Sequence, residues 1–227
     1  MKKANIDSLM SEIQNVCSRA GRNVNDITII AASKYTDAKG ITEALKLGIK
    51  DFGENRADAL KEKYTLVGNI VTWHFIGHLQ SRKAKVVVPV AEYIHSCDSL
   101  GIIKEINNQA SAIGKVQKVL IEVNISGEES KYGFSPQELP GLIGDALEFE
   151  NISICGLMTM APLCDDQILI RKVFADLRLL RDKTVKEIRN YSDNVTLCEL
   201  SMGMSNDYKI AIEEGATMVR IGSLIFL

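Results

Sequence analysis

Eight short runs of β-branched and small apolar residues recur along the chain, separated by stretches of helical periodicity. The runs are ITIIAASK (27–34), KDFGEN (50–55), TWHFIGHL (72–79), EYIHSCD (92–98), KVLIEVNIS (118–126), SICGLMTM (153–160), VTLCELSM (195–202) and TMVRIGSLIF (217–226). Between them lie helical patterns such as 38–48, 99–114, 135–150, 165–190 and 205–216, several ended by a glycine suited to a left-handed cap. Alternating strands and helices imply βα units and a parallel sheet. Eight such units in 227 residues fit an α/β fold of one kind, a single (β/α)8 barrel domain spanning 1–227. An extra amphipathic helix precedes it, with Leu9, Ile13, Val16 and Ala20 on one face. A doubly wound open sheet is the alternative, because periodicity gives strand number but not closure.

Charge and cysteine usage exclude several classes of partner. The formal charge is −2, the sequence pI is near 6.0, and acids and bases are interspersed, so no basic stripe is available for nucleic acid. Cys17, Cys97, Cys155, Cys164 and Cys198 lie mostly in apolar segments and form no CxxC pair, and with their odd number they read as buried thiols in a reducing cytosol. No apolar run approaches the roughly 20 residues that span a bilayer, and the first residues lack the apolar core of a signal peptide. The expectation is a soluble, cytoplasmic protein.

In a (β/α)8 barrel the working face is the rim at the carboxyl ends of the strands. The expected rim residues are Lys34 after strand 1, Glu54, Asn55 and Arg56 after strand 2, Gly77 and His78 after strand 3, and Asn124 after strand 5. Ser201 is expected to end strand 7, with Arg220, Gly222 and Ser223 along strand 8. SMGMSND and RIGS combine glycines with hydroxyls, and barrels often bind phosphate after strands 7 and 8. Lys34 follows the small residues Ala31, Ala32 and Ser33, which leave room for a ligand. A lysine desolvated there is an amine able to attack a carbonyl. Amine and phosphate site together point to a phosphorylated aldehyde.

The motifs AASK, DFGENR, HFIGHLQS, IHSCDS, IEVNISGEESKYGF, GLMTMAP, LSMGMSND and VRIGSLIF, taken in order, resemble the pyridoxal phosphate homeostasis protein family. That resemblance implies a barrel of the alanine racemase N-terminal type binding pyridoxal 5'-phosphate as an aldimine on Lys34. It implies that Ser201, Gly222 and Ser223 hold the phosphate, that Arg220 faces the pyridine nitrogen, and that Asn55 borders the ring. Met202 and Gly203 are expected to line the ring, and His78 to stand behind this first layer. His74 and His95 read as core or loop histidines, Lys131 as a second amine near the mouth, and no spacing suits a metal. Two departures stand out: Arg82 replaces the family's usual asparagine, and the sequence stops at Leu227, where relatives continue with a basic and aromatic tail that would firm one wall of the pocket.

An arginine opposite the pyridine nitrogen cannot accept its proton, so the cofactor would be a weak electron sink. With no second domain to supply the further base of a racemase, the resemblance implies a binding protein that keeps free pyridoxal phosphate low and hands it to apo-enzymes. A monomer is expected. The alternatives are a weak amino-acid racemase and a lysine aldolase, the latter disfavoured because no acid/base carboxylate pair is evident at the strand ends.

Overall fold

A computed structural model describes residues 3–128, 131–188 and 194–227. Its eight parallel strands close in sequence order: β1 (Thr28–Ala32), β2 (Asp51–Glu54), β3 (Thr72–Phe75), β4 (Tyr93–Cys97), β5 (Gln117–Glu122), β6 (Ile152–Met158), β7 (Val195–Met204) and β8 (Met218–Ile221). β8 returns to β1 in the register Ile30–Arg220, so the sheet has no free edge and the open-sheet alternative is removed.

The outer layer comprises α1 (Lys3–Arg19), α2 (Ala38–Lys46), α3 (Ala57–Val67), α4 (Ser81–Val87), α5 (Leu100–Ser111), α6 (Leu139–Ala146), α7 (Gln167–Ile188), α8 (Tyr208–Glu213) and the short α9 (Ser223–Phe226). Asp37 opens α2 by accepting from the Gly40 amide, and Ser99 opens α5 by accepting from the Ile102 amide. The expected helices are present, although residues 189 and 190 of the 165–190 pattern lie outside the described residues. Ile6, Leu9, Ile13, Val16 and Cys17 bury the inner face of α1 against the barrel's outer layer.

Strand alternation sorts the side chains into two interiors. Outward residues such as Phe52, Trp73, Phe75, Ile94 and Val219 join the large apolar core under the helices. The lumen holds a small apolar plug of Ile30, Leu120, Met158 and Met218. His74, His95, Ser201 and Arg220 are buried on those inward positions. No helix among the described residues is long and apolar enough to cross a membrane. All five cysteines are free; Cys17 and Cys97 are buried and Cys155 partly so, whereas Cys164, in the loop after β6, and Cys198, on β7, are exposed, which corrects the expectation of five buried thiols.

Three strand ends differ from the sequence expectation. β1 stops at Ala32, and Lys34 sits in a 3-10 turn, Ser33–Tyr35. β7 runs on to Met204, which leaves Ser201 inside the strand. β8 stops at Ile221, so Gly222 and Ser223 belong to the turn into α9.

Candidate functional site

A cavity of about 720 Å3 opens at the carboxyl ends of the strands, lined by Ala32, Lys34, Met204, Ser205, Arg220, Gly222 and Ser223 among others. Lys34 and the β7 and β8 loops therefore share one space, as their order along the chain led one to expect. Ala161 to Asp165 supply a further wall from the loop after β6, and Leu227 also contributes.

Lys34 is exposed, which corrects the expectation of a desolvated amine. Its Nζ lies 4.7 Å from the centroid of the Tyr35 ring. The turn that presents it is anchored from below. Ser33 Oγ donates to Glu54 Oε1 at 2.7 Å, and Lys63 Nζ donates both to Ser33 O at 2.6 Å and to the same Glu54 carboxylate. Glu54, a residue expected at the rim, is instead almost fully buried and holds the turn in place. Lys63→Met removes two donors from this cluster and leaves a buried carboxylate underpaired. Chemical denaturation should show a loss of about 2 kcal/mol, within the range for hydrogen bonds to charged groups.

Arg220 reaches the cavity lining from β8. It is buried, donating NH1 to Ser201 Oγ at 2.6 Å and NH2 to the Thr159 carbonyl at 3.0 Å. Burial lowers its pKa to about 10, with Asp207 and Glu122 opposing the change, so it remains a cation at neutral pH. Asp207 also lines the cavity, where its carboxylate accepts from the Met204 amide and shapes the turn after β7. Desolvation raises the Asp207 carboxyl pKa.

The β7 residues are redistributed. Ser201 does not line the cavity; its hydroxyl is spent on Arg220 and on His95 Nδ1, 2.8 Å away. Met202 points outward into the helix-side core, since neighbouring strand residues face opposite ways. Gly203 has φ +89, and a Cβ there would come within 2.5 Å of Ala211 Cβ and 3.0 Å of Tyr208 Cα, so this glycine lets α8 pack closely on β7. Ser205 takes the place expected of Ser201: its Oγ accepts from the Gly222 amide at 3.3 Å, joining the two loops at the cavity wall. Gly222 and Ser223 lie where expected, on the lining.

Asn55 is exposed on the rim but outside this cavity, with its backbone close against Gly77. His78 accordingly sits back from the lining, bonded through Nδ1 to Asp98 at 2.8 Å and stacked on Tyr132. Lys131 reaches Met160 O at 3.3 Å and pairs with Glu128, while residues 129 and 130 of the same motif lie outside the described residues. His74 and His95 are core histidines, as read from sequence. Among the described residues no group of histidine, cysteine and carboxylate side chains is suited to a metal ion.

Sequence reasoning passed over Glu122. The last residue of β5 is only 4% exposed, and its carboxyl pKa is pushed up to about 7, first by burial and then by Asp98, against the pull of Arg220 and His78. Asp98, in the loop after β4, is the neighbouring carboxylate that helps raise it, and neither residue is on the lining of the cavity.

Residues 5–227 match the family described as alanine racemase, N-terminal domain. The pyridoxal phosphate homeostasis protein of Aquifex aeolicus is 41% identical over 222 residues, covering 97% of this chain and 95% of the relative. This chain belongs to the pyridoxal phosphate homeostasis protein family. The Escherichia coli K12 member is 34% identical, covering 98% of this chain and 94% of its own length. Synechococcus elongatus PipY, solved with pyridoxal phosphate bound, superposes with a TM-score of 0.82 at 29% identity, covering 95% of this chain and 100% of that one. A Clostridium difficile alanine racemase has the same fold, with a TM-score of 0.75 at 17% identity; the match covers 98% of this chain and 56% of the racemase. The homeostasis relatives are named as homeostasis proteins rather than as enzymes.

Proposed function

We propose that this chain binds pyridoxal 5'-phosphate reversibly in the mouth of its barrel and acts as a carrier that limits the free aldehyde, releasing it to apo-enzymes. The observation that carries this reading is the shared cavity: the Lys34 amine, the Arg220 cation and the Ser205, Gly222 and Ser223 loops line one space. The donors fit the group. Ser205, Ser223 and the loop amides suit its phosphate, and Arg220 suits a pyridine nitrogen that carries no proton. Lys34 is assigned to condense with the aldehyde, forming a carbon–nitrogen double bond with loss of water. When bound, the cofactor supplies a reactive aldehyde and an electron sink that a facing guanidinium leaves weak. Asn55, Ser201 and Met202 have no direct part in this reading. Gly203 acts through backbone packing and His78 from behind the lining.

The test is borohydride reduction of the protein mixed with pyridoxal phosphate, followed by peptide mapping. The adduct is expected on Lys34. Lys34→Ala should lose the visible absorption band while weak phosphate-dependent binding persists. A label on another lysine, or a band that survives in Lys34→Ala, would refute the assignment.

A second reading, a weak amino-acid racemase, follows from the match to the alanine racemase N-terminal domain family; Glu122, whose carboxyl pKa burial raises to about 7, ends β5 at the same end of the barrel but is not on the cavity lining. Chiral analysis after incubation with L-alanine and pyridoxal phosphate separates the two: the carrier yields no D-alanine above a control without protein.

A further inference from the structure

Below the mouth, a continuous line of polar side chains crosses the barrel lumen. Arg220 NH1 meets Ser201 Oγ at 2.6 Å, and Ser201 Oγ meets His95 Nδ1 at 2.8 Å. His95 Nε2 then meets His74 Nδ1 at 2.9 Å, and His74 Nε2 meets Asp51 Oδ1 at 3.1 Å. Ser201, His95 and His74 are completely buried, whereas the Asp51 side chain is 26% exposed. Asp51 begins β2 and lines a separate cleft at the amino-terminal ends of the strands, with Thr72, Tyr93 and Lys118. The line thus joins a cation at the working end of the barrel to a carboxylate at the other.

With both imidazoles neutral, the two ends dictate where the protons sit. A carboxylate only accepts, so His74 Nε2 carries hydrogen and donates to Asp51. A neutral His74 must then accept at Nδ1, and His95 donates from Nε2. His95 Nδ1 is left as an acceptor for the Ser201 hydroxyl, whose oxygen is free to receive the Arg220 N–H. Every donor points from Arg220 towards Asp51, and neither imidazole needs a charge. The surroundings agree with this: burial, then His74 and Arg220, holds the His95 pKa well below its ordinary value. Bonds aligned this way polarise one another, and a buried chain tolerates no unpaired member.

We propose that Asp51, His74, His95 and Ser201 are positioning residues for Arg220, a one-directional hydrogen-bond chain in which the carboxylate at the far end sets both histidine tautomers and, through Ser201, the orientation of the guanidinium at the cofactor mouth. Asp51 itself touches nothing at the mouth. The part concerning the cofactor rests on the pyridoxal phosphate reading; the proton assignment does not.

The two parts are measured separately. The sequence has three histidines, so nitrogen-15 spectra of the imidazoles are readily assigned, with His78 as an internal reference outside the chain. The intact protein, with no cofactor added, should show His74 and His95 both neutral and both protonated at Nε2. Asp51→Ala should abolish that pattern in both rings, including His95, which Asp51 does not contact. Asp51→Asn, whose carboxamide oxygen still accepts, should restore it. Ser201→Ala cuts the chain on the other side of the histidines and should leave their tautomers in place.

Pyridoxal phosphate titrations give the second readout. Asp51→Ala and Ser201→Ala should each weaken binding by about two- to tenfold, the fold-change of one net hydrogen bond, and shift the absorption band. Asp51→Asn should recover most of the loss, and the surface variant Asp58→Ala should bind as wild type. The proposal fails if the wild-type rings show another tautomer, if His95 ignores Asp51→Ala, or if Ser201→Ala binds with unchanged affinity and band. Should Asp51→Ala not fold, the wild-type spectrum and Ser201→Ala decide the matter. Wild-type protein that binds no pyridoxal phosphate but gives the expected spectra would refute the cofactor reading and leave the proton assignment standing.

Discussion

Glu122→Gln should stabilise the folded protein by about 3 kcal/mol above pH 7 and leave its stability nearly unchanged below pH 4.5. The sign follows from the direction of the shift. The Glu122 carboxyl pKa is raised from an ordinary 4.5 to about 7 in the fold, so the folded state holds its proton more tightly than the unfolded chain does. Stability from this group is fully present below the ordinary value and is lost as pH rises through the folded one. Glutamine keeps the shape without the ionisation, so the two proteins diverge between those limits at roughly 1.4 kcal/mol per pH unit. Denaturant melts of both proteins from pH 4 to 8.5 measure the difference. Parallel curves across this range would mean that Glu122 is ionised in the fold without penalty.

Hydrophobic periodicity carried the eight strands and their order, because a parallel sheet buried on both faces requires runs such as ITIIAA and KVLIE wherever a strand passes. Lys34, Arg220, Gly222 and Ser223 were legible for the same reason: each lies at or just beyond the carboxyl end of a strand, and closure brings those ends together. Strand length was not legible. In LSMGMSND two serines flank the same glycine, and only the extension of β7 to Met204 puts Ser201 in the lumen and Ser205 on the cavity. Given that length, alternation alone turns Met202 outward. Glu122 was hidden for a different reason. Its character comes from burial beside Asp98, a residue of the preceding βα loop, and a single sequence records no such meeting. The chain from Arg220 to Asp51 was equally hidden, since it draws on five strands and depends on their relative stagger. Glu54 shows the converse case. A carboxylate at a strand end invites a rim role, yet Glu54 is buried on the α3 side, where it pairs with Ser33 and Lys63 and holds the Lys34 turn.

Gly156→Ala should cost about 3 kcal/mol or more, the high end for overpacking a well-filled interior. The reason lies where β6 and β7 change register. Ile154 pairs with Val195 and Gly156 with Glu199, so two residues on β6 span four on β7. Leu197, in the extra segment, takes φ +49 while remaining fully buried, a left-handed conformation that a branched side chain adopts only when its surroundings enforce it. The bulge brings the Glu199 backbone towards β6, where a Cβ on residue 156 would lie 2.0 Å from the Glu199 carbonyl oxygen and 2.6 Å from its carbon. Backbone cannot rotate aside as a side-chain tip can, so an alanine must push the two strands apart or undo the bulge. Either response moves the strand that continues to Ser201, and with it Arg220's partner. Thermal melts should register the stability loss, and the His95 ring signals should shift with it. An alanine variant that melted like wild type would show that β7 can retreat freely at Glu199, and the register change could then not be what fixes Ser201 beneath Arg220.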